Sequence, residues 1–159
     1  MNRRANRIIA ARLQELGLTL PEAPKAVASY VPARQAGRLL LVSGQLPFRD
    51  GELLARGRVP EQVSLEEAQA CARQCVLNGL AVAADALGGD LSLIEHVVRV
   101  GCFVASAPDF FDQPKVANGA SELLVDIFGD AGRHARAAVG SVALPLGAPV
   151  EVEFLFKTA

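Results

Sequence analysis

HARAAVGSVALPLGAPVEVEFLF, residues 134–156, decides the fold of this chain. It holds two apolar runs, residues 135–144 and residues 149–156, and between them Pro145 and Gly147 break the pattern. Short apolar runs bounded by Pro and Gly are typical of β-strands. The stretch therefore predicts a strand, a turn and a final strand.

The final run alternates between two faces, because successive side chains of a strand point to opposite sides. One face carries Val150, Val152, Phe154 and Phe156, and the other carries Glu151, Glu153 and Leu155. Arg136 stands near the start of the first run. If both strands lie in one sheet, its guanidinium could lie close to the two carboxylates. Arginine grips a carboxylate with a planar fork, and a glutamate can deprotonate a water molecule. The alternative from the pattern alone is a sheet-edge salt bridge or a row of solvated charges.

The order of these residues resembles the C-terminal signature of the RidA/YjgF family. The matching features are Ala-Arg, an apolar strand, Ala-Leu-Pro and then Val-Glu-Val-Glu. Upstream, Tyr30, the run LLVSGQ at residues 40–45 and Asn118 fall in matching order. The resemblance covers residues 25–157.

Composition places the chain among ordinary globular proteins. It has 159 residues, of which 51% are hydrophobic and 21% charged, and a net charge of −1. This charge gives no electrostatic case for nucleic acid, and no apolar run approaches the ~20 residues of a membrane span. Three cysteines, at Cys71, Cys75 and Cys102, do not suggest a disulfide framework, so we expect buried core thiols and a cytoplasmic location.

Periodicity and turn residues predict the remaining elements. Residues 3–16 are predicted to form a helix that ends at Gly17, and Pro21 and Pro24 mark a linker after it. We therefore divide the chain into a helix and linker at residues 1–24 and one domain at residues 25–159. Within the domain we expect strands in residues 26–31, 39–42, 52–55 and 97–105, and helices at 64–87 and 114–128.

Local signals mark several boundaries of these elements. Turns are predicted at Gly37-Arg38 and at Arg49-Asp50-Gly51. Ser64 with Glu67 three residues later predicts a capping box, and Gly88-Gly89 predicts the end of that helix. The apolar stripe of the first helix consists of Ile8, Ile9, Leu13 and Leu16.

The predicted domain is an α+β fold with the element order βββαβαββ. Two amphipathic helices can cover one face of such a mixed sheet. The opposite face carries Phe103, Leu155 and small residues beside Arg and Glu, which is too apolar to stay wet. We therefore expect self-association to bury it. The family resemblance implies the same order, a chorismate-mutase-like fold, and a homotrimer with three clefts between subunits.

The resemblance also implies a site and a reaction. RidA-like enzymes hydrolyse short-lived 2-imino or 2-enamino acids to 2-oxo acids and ammonia without a metal or organic cofactor. The matching positions are Arg136 for the substrate carboxylate and Glu151 for the water, with Tyr30, Gly44 and Asn118 lining the cleft. From the sequence alone, Gly44 is equally consistent with a simple β-bulge.

Two residues depart from the family pattern. RidA-like enzymes usually carry Pro before Ala-Arg and Ser after it, whereas this chain has His134 and Ala137. The lost hydroxyl puts the identity of the substrate in question. The added imidazole could carry a proton, or it could serve a surface or interface role.

Three functions are consistent with these observations. The first is the imine or enamine deaminase, and the second is a non-catalytic trimer that binds a small carboxylate metabolite and regulates a pathway. The third is an endoribonuclease, an activity name attached to part of the family. An RNase should show a basic groove, stacking aromatics or a histidine pair, yet this chain is 5% aromatic and has two histidines in separate segments.

Overall fold

The alternating strand at the end of the chain is the central strand of the main sheet. The structure is a computed structural model that describes residues 3–25 and 29–159. Its five-stranded sheet has the order β1-β2-β7-β5-β6, with β5 and β6 parallel and every other pair antiparallel. The elements are α1 (Arg3–Glu15), β1 (Ala33–Ala36), β2 (Leu39–Gln45), β3 (Phe48–Arg49), β4 (Glu52–Leu53), α2 (Leu65–Ala86), β5 (Ile94–Ala105), α3 (Gln113–Phe128), β6 (Ala135–Ser141) and β7 (Val150–Thr158).

Helices α2 and α3 cover one face of this sheet, which confirms the predicted α+β, chorismate-mutase-like fold. Along β7 buried residues alternate with partly buried ones over the whole strand. The buried set includes Phe154 and Phe156, which stack with ring centroids 5.8 Å apart beneath the helices. The core thus lies between the two helices and the face of β7 that the sequence pattern indicated.

The ends of α2 follow from local chemistry. Ser64 and Glu67 form the predicted capping box, in which each side chain accepts a hydrogen bond from the other residue's backbone N–H. The backbone N–H of Ser64, and then its hydroxyl, act as donors towards the Glu67 carboxylate and lower the pKa of Glu67. Gly88 and Gly89 follow the helix with φ of 65° and 87°, a left-handed conformation that ends helices and suits glycine.

The prediction of a first strand within residues 26–31 is wrong in position. Residues 26–28 lie outside the described residues, and Ser29 and Tyr30 form a bend. The observed β1 has the sequence ARQA and no apolar alternation, because it is an edge strand with three exposed residues out of four. Its pairing with β2 depends on the predicted two-residue turn at Gly37-Arg38, where Gly37 has φ 59°.

The third predicted strand also differs. Residues 52–55 do not join the main sheet; Glu52–Leu53 pairs only with Phe48–Arg49 in a separate two-stranded hairpin. Asp50 and Gly51 both have positive φ, 54° and 84°, as a tight hairpin turn requires. The predicted turn is therefore confirmed, but the strands that it joins, β3 and β4, form a separate hairpin beside the main sheet.

Helix α1 packs against the rest of the described chain. Its Leu13 is buried in the same core as the sheet, whereas Ile8, assigned to its apolar stripe from the sequence, is 61% exposed. Arg12 donates a hydrogen bond of 2.7 Å to the backbone carbonyl of Asp126 in α3. Within one chain the helix thus contacts α3 and the short turn at Leu91–Leu93.

The three cysteines are free and buried, as predicted. Burial raises the pKa of Cys71 to about 11 and that of Cys102 to about 12, and it raises that of Cys75 as well. Because the thiolate is the reactive form, these side chains act as small apolar core groups.

The face of the sheet opposite the helices, which we call the open face, carries exposed apolar side chains. Leu39, Leu41 and Val139 are each more than 40% exposed there. An exposed apolar surface of this kind fits the predicted self-association. No helix in the described ranges has the length and apolar character needed to cross a bilayer.

Phe156 and Phe111 offer a matched test of where the core lies, since Phe156 is fully buried and Phe111 is 80% exposed. We expect Phe156→Ala to lower the free energy of unfolding by about 3–5 kcal/mol through lost burial and cavity formation. Phe111→Ala should change it by about 0.5 kcal/mol or less. Denaturant titration at one fixed protein concentration checks both, and equal effects would contradict this placement of the core.

Candidate active site

Arg136 faces the helices rather than the open face. Its Cα partner on β5 is Val100, a fully buried core residue, and paired residues of neighbouring strands point to the same side. Because β6 is the edge strand, nothing in the sheet covers Arg136 on its outer side, and the residue is exposed. The guanidinium therefore lies at the border between the sheet edge and α3.

Two polar residues of α3 hold this guanidinium. Arg136 Nη1 donates to Asn118 Oδ1 at 2.9 Å and to Ser121 Oγ at 3.1 Å. Asn118 and Ser121 are three residues apart, which places them on one face of the helix. Ser121 Oγ also lies 2.9 Å from His134 Nε2. We call Arg136, Asn118, Ser121 and His134 the arginine cluster.

The arginine cluster contains no acidic side chain. Arg136 forms no ion pair with any carboxylate in the described residues, and its protein contacts are with neutral oxygens. Both contacts use Nη1, so the edge formed by Nε and Nη2 has no hydrogen-bond acceptor among the described residues. This edge matches the two oxygens of a carboxylate.

Glu151 lies in a different place, a cavity of about 710 Å³ that we call the glutamate pocket. Tyr30, Gly44 and Glu151 all line it, so the structure brings these three predicted site residues together. Its other walls come from the residues after α1, the β3–β4 hairpin and the loop before β7; they include Lys25, Arg49 and Leu146.

Gly44 is explained by its contact with Glu151. A Cβ atom at position 44 would collide with the Glu151 carboxylate, so glycine there leaves the space that this carboxylate occupies. The pairing of β2 with β7 also shifts register between Val42 and Gln45, as the β-bulge interpretation predicted. Gly101 likewise makes room for Glu153, since a Cβ there would lie 2.7 Å from Glu153 Oε1. The two carboxylates thus lie over backbone that has no side chain.

The two glutamates have different electrostatic environments. Glu153 forms a salt bridge with Arg99 at 3.1 Å, whereas Glu151 forms no ion pair within the described part of the chain. Burial, and then the neighbouring charge of Glu153, raises the pKa of Glu151. A carboxylate with a raised pKa is a stronger base than an ordinary exposed glutamate.

The arginine cluster and Glu151 do not meet within one chain. Glu151 is in register with Phe103 of β5, and Phe103 with Val139 of β6, three residues beyond Arg136. Three residues along a strand and two strand spacings give about 14 Å between the Cα atoms of Arg136 and Glu151. Because successive side chains of a strand alternate between faces, this odd offset also places the side chains of Arg136 and Glu151 on opposite faces of the sheet. The expectation that one sheet places this guanidinium beside Glu151 and Glu153 is therefore wrong for a single chain.

Sequence reasoning also missed the contacts of Ser121. Its spacing of three residues from Asn118 was the available signal, because helix periodicity places both on the same face. The hydrogen bonds of His134 could not be read from sequence, since they depend on how closely β6 approaches α3. In the described residues, no group of three or more His, Cys, Asp or Glu side chains could hold a metal ion.

Comparison with known proteins identifies the family. The sequence model described as "YjgF/chorismate_mutase-like, putative endoribonuclease" matches residues 10–158, beginning within α1. That range covers most of the chain, which belongs to the RidA/YjgF family, as the order of its motifs indicated.

Individual relatives agree with this assignment. The chain is 45% identical over 150 residues to protein TCP17 of Trypanosoma cruzi, covering 94% of this chain and 93% of that protein. The crystal structure of protein Atu1372 from Agrobacterium tumefaciens superposes with a TM-score of 0.89 at 44% identity, over 97% of this chain and 94% of that one. Escherichia coli TdcF, crystallised with bound serine, shares the fold at 22% identity and a TM-score of 0.62, over 87% of this chain and 94% of its own.

The electrostatic coupling of the two glutamates is directly measurable. Glu153→Gln removes the like charge that disfavours ionised Glu151, so we expect the pKa of Glu151 to fall. Carboxyl carbon NMR as a function of pH measures this change. Glu95, which pairs with Arg38 and Lys157 near the far end of the sheet, is the control and should keep its pKa. A rise or no change at Glu151 would show that Glu153 does not act on it.

Proposed function

We propose that the protein hydrolyses reactive 2-imino and 2-enamino acids to 2-oxo acids and ammonia, in clefts between the subunits of a homotrimer. An enamine first becomes the imine by gaining a proton at C3. Water then adds to C2, the resulting hydroxyl gives up its proton as C=O forms, the C–N bond breaks, and the nitrogen takes up a proton and leaves as ammonia. This reaction needs a held carboxylate, one positioned water and proton transfer, so the proposal includes no metal or organic cofactor.

The observation that carries the proposal is the unneutralised Arg136. Its guanidinium is held by Asn118 and Ser121 but keeps its full charge and one bidentate edge. An arginine held in this way suits the carboxylate that every 2-imino acid carries. Serine, bound in the TdcF crystal, is also a small molecule with a carboxylate and a nitrogen on adjacent carbons.

Glu151 is the proposed base. Its raised pKa suits proton abstraction from water, and no Lys or Arg of the described residues lies within salt-bridge distance of it. It takes a proton as water adds to C2 and returns one to the nitrogen as that group leaves. Tyr30 and Gly44 form the walls of the same pocket.

The separation of the two halves is the reason for proposing a cleft between chains. A small imino acid cannot touch Arg136 and Glu151 of one chain, because these side chains lie on opposite faces of the sheet. Arg136 is on edge strand β6, where a second chain can reach it. The exposed Leu39, Leu41 and Val139 supply apolar contact area for such an assembly.

Arg136→Ala tests the carboxylate role. We expect binding of 2-oxobutanoate to weaken by about 10- to 100-fold, since charge-assisted hydrogen bonds are lost, and ammonia release from freshly generated 2-aminoacrylate to fall with it. Calorimetry and a coupled ammonia assay measure the two effects. Arg133→Ala, which removes a 76% exposed arginine three positions upstream, should leave both unchanged.

The same assays separate the other functions. Tight binding of 2-oxobutanoate by wild type without ammonia release above buffer would favour the regulatory binder. RNA cleavage that survives purification and is lost in Glu151→Gln would favour the endoribonuclease. An Arg136→Ala protein with wild-type affinity and turnover would remove the site assignment.

Subunit mixing tests whether one cleft uses two chains. Arg136→Ala and Glu151→Gln should each be nearly inactive, the second because acid–base catalysis contributes about 100-fold or more. Refolded together in equal amounts, they should recover activity, because about one cleft in four then combines an intact arginine with an intact glutamate. The double variant, refolded alone, is the control and should remain inactive. Mixed trimers verified by native mass spectrometry yet without activity would contradict a shared cleft.

A further inference from the structure

Behind Arg136, Ser121 and His134 form a short hydrogen-bonded chain. Ser121 Oγ lies 3.1 Å from Arg136 Nη1 and 2.9 Å from His134 Nε2. His134 Nδ1 lies 2.6 Å from the backbone carbonyl of Gly132. His134 immediately precedes β6, and Arg136 is two residues further along the chain, so both side chains face α3. The hydroxyl of Ser121 can therefore reach both.

Two of these hydrogen-bond directions follow from the groups themselves. A guanidinium has donors only, so Ser121 accepts from Arg136, and a carbonyl only accepts, so His134 Nδ1 donates to Gly132. In the neutral imidazole Nε2 is then the unprotonated nitrogen, and it accepts from the Ser121 hydroxyl.

Gly132 is itself firmly placed. It is buried, and a Cβ atom there would collide with the backbone of Leu124 in α3, so its Cα lies close against the helix. The chain from Gly132 through His134 and Ser121 thus connects the guanidinium to a fixed point of the helical layer. Together with Asn118, Ser121 places two acceptors on Nη1, which restrains the plane of the guanidinium.

We propose that Ser121 and His134 are positioning residues that hold the Nε–Nη2 edge of Arg136 towards the substrate carboxylate. The carboxylate role rests on the proposed function, whereas the hydrogen-bonded chain itself does not. Holding a long side chain in its binding conformation removes part of the entropy cost of binding. His134 acts through Ser121 and does not touch the substrate.

Two histidine substitutions separate the bond to Ser121 from the bond to Gly132. His134→Gln places an acceptor near the position of Nε2 and keeps the partner of Ser121, whereas His134→Asn keeps only a donor to Gly132. We expect Ser121→Ala and His134→Asn to raise the KM for 2-aminoacrylate and the Kd for 2-oxobutanoate by roughly 3- to 10-fold, with kcat little changed. His134→Gln should stay within about 2-fold of wild type. Equal effects of Asn and Gln, or loss of kcat alone, would overturn the positioning role.

Imidazole nitrogen NMR tests the chain without any ligand. We expect His134 to show the Nδ1–H tautomer and Ser121→Ala to change its Nε2 signal, while exposed His96 is the internal reference. Slow rotation of the Arg136 guanidinium in wild type should become faster in Ser121→Ala. An Nε2–H tautomer, or unchanged rotation, would overturn the inference even in an active enzyme. Wild type that neither binds 2-oxobutanoate nor releases ammonia would instead remove the proposed function.

Discussion

The two-residue alternation of β7 is the constraint on which the rest of the structure depends. β7 lies at the centre of the sheet, so its Val and Phe side chains form the floor of the core beneath α2 and α3. The same alternation sends Glu151 and Glu153 to the open face. A shift of one residue in register would bury both carboxylates and expose Phe154 and Phe156, at a cost that no other contact could offset. The pattern of this one strand therefore places both the apolar core residues and the two carboxylates.

Much of this could be predicted from sequence because the signals were local. The capping box at Ser64, the glycines after α2 and the alternation of β7 each depend on residues within a few positions of one another. β1 was misplaced for the opposite reason: an edge strand that buries little carries no apolar pattern, and its pairing is set by the turn at Gly37 and by the neighbouring β2. The strand predicted at residues 52–55 pairs with Phe48–Arg49 outside the main sheet, and the sequence pattern does not reveal which strands pair.

In the candidate site, too, the sequence predicted individual residues but not the contacts between distant segments. The sequence predicted five site residues, and the structure groups Arg136 with Asn118, and Glu151 with Tyr30 and Gly44. It could not show that the two groups lie on opposite faces, because that depends on the parallel register of β6 against β5. Nor could it show that the Glu151 carboxylate occupies the space that a side chain at position 44 would need. Both features depend on contacts between segments that are far apart in the sequence, and a residue pattern does not report such contacts.

The buried thiols have a consequence for a protein proposed to admit electrophiles. A 2-imino acid is electrophilic at its imine carbon, to which an accessible thiolate would add. With the pKa of Cys71 near 11 and that of Cys102 near 12, the thiolate population at neutral pH is minute. The three side chains also lie buried between α2 and the sheet. Under the proposed function, the core thus keeps its most nucleophilic side chains from reacting with the substrate.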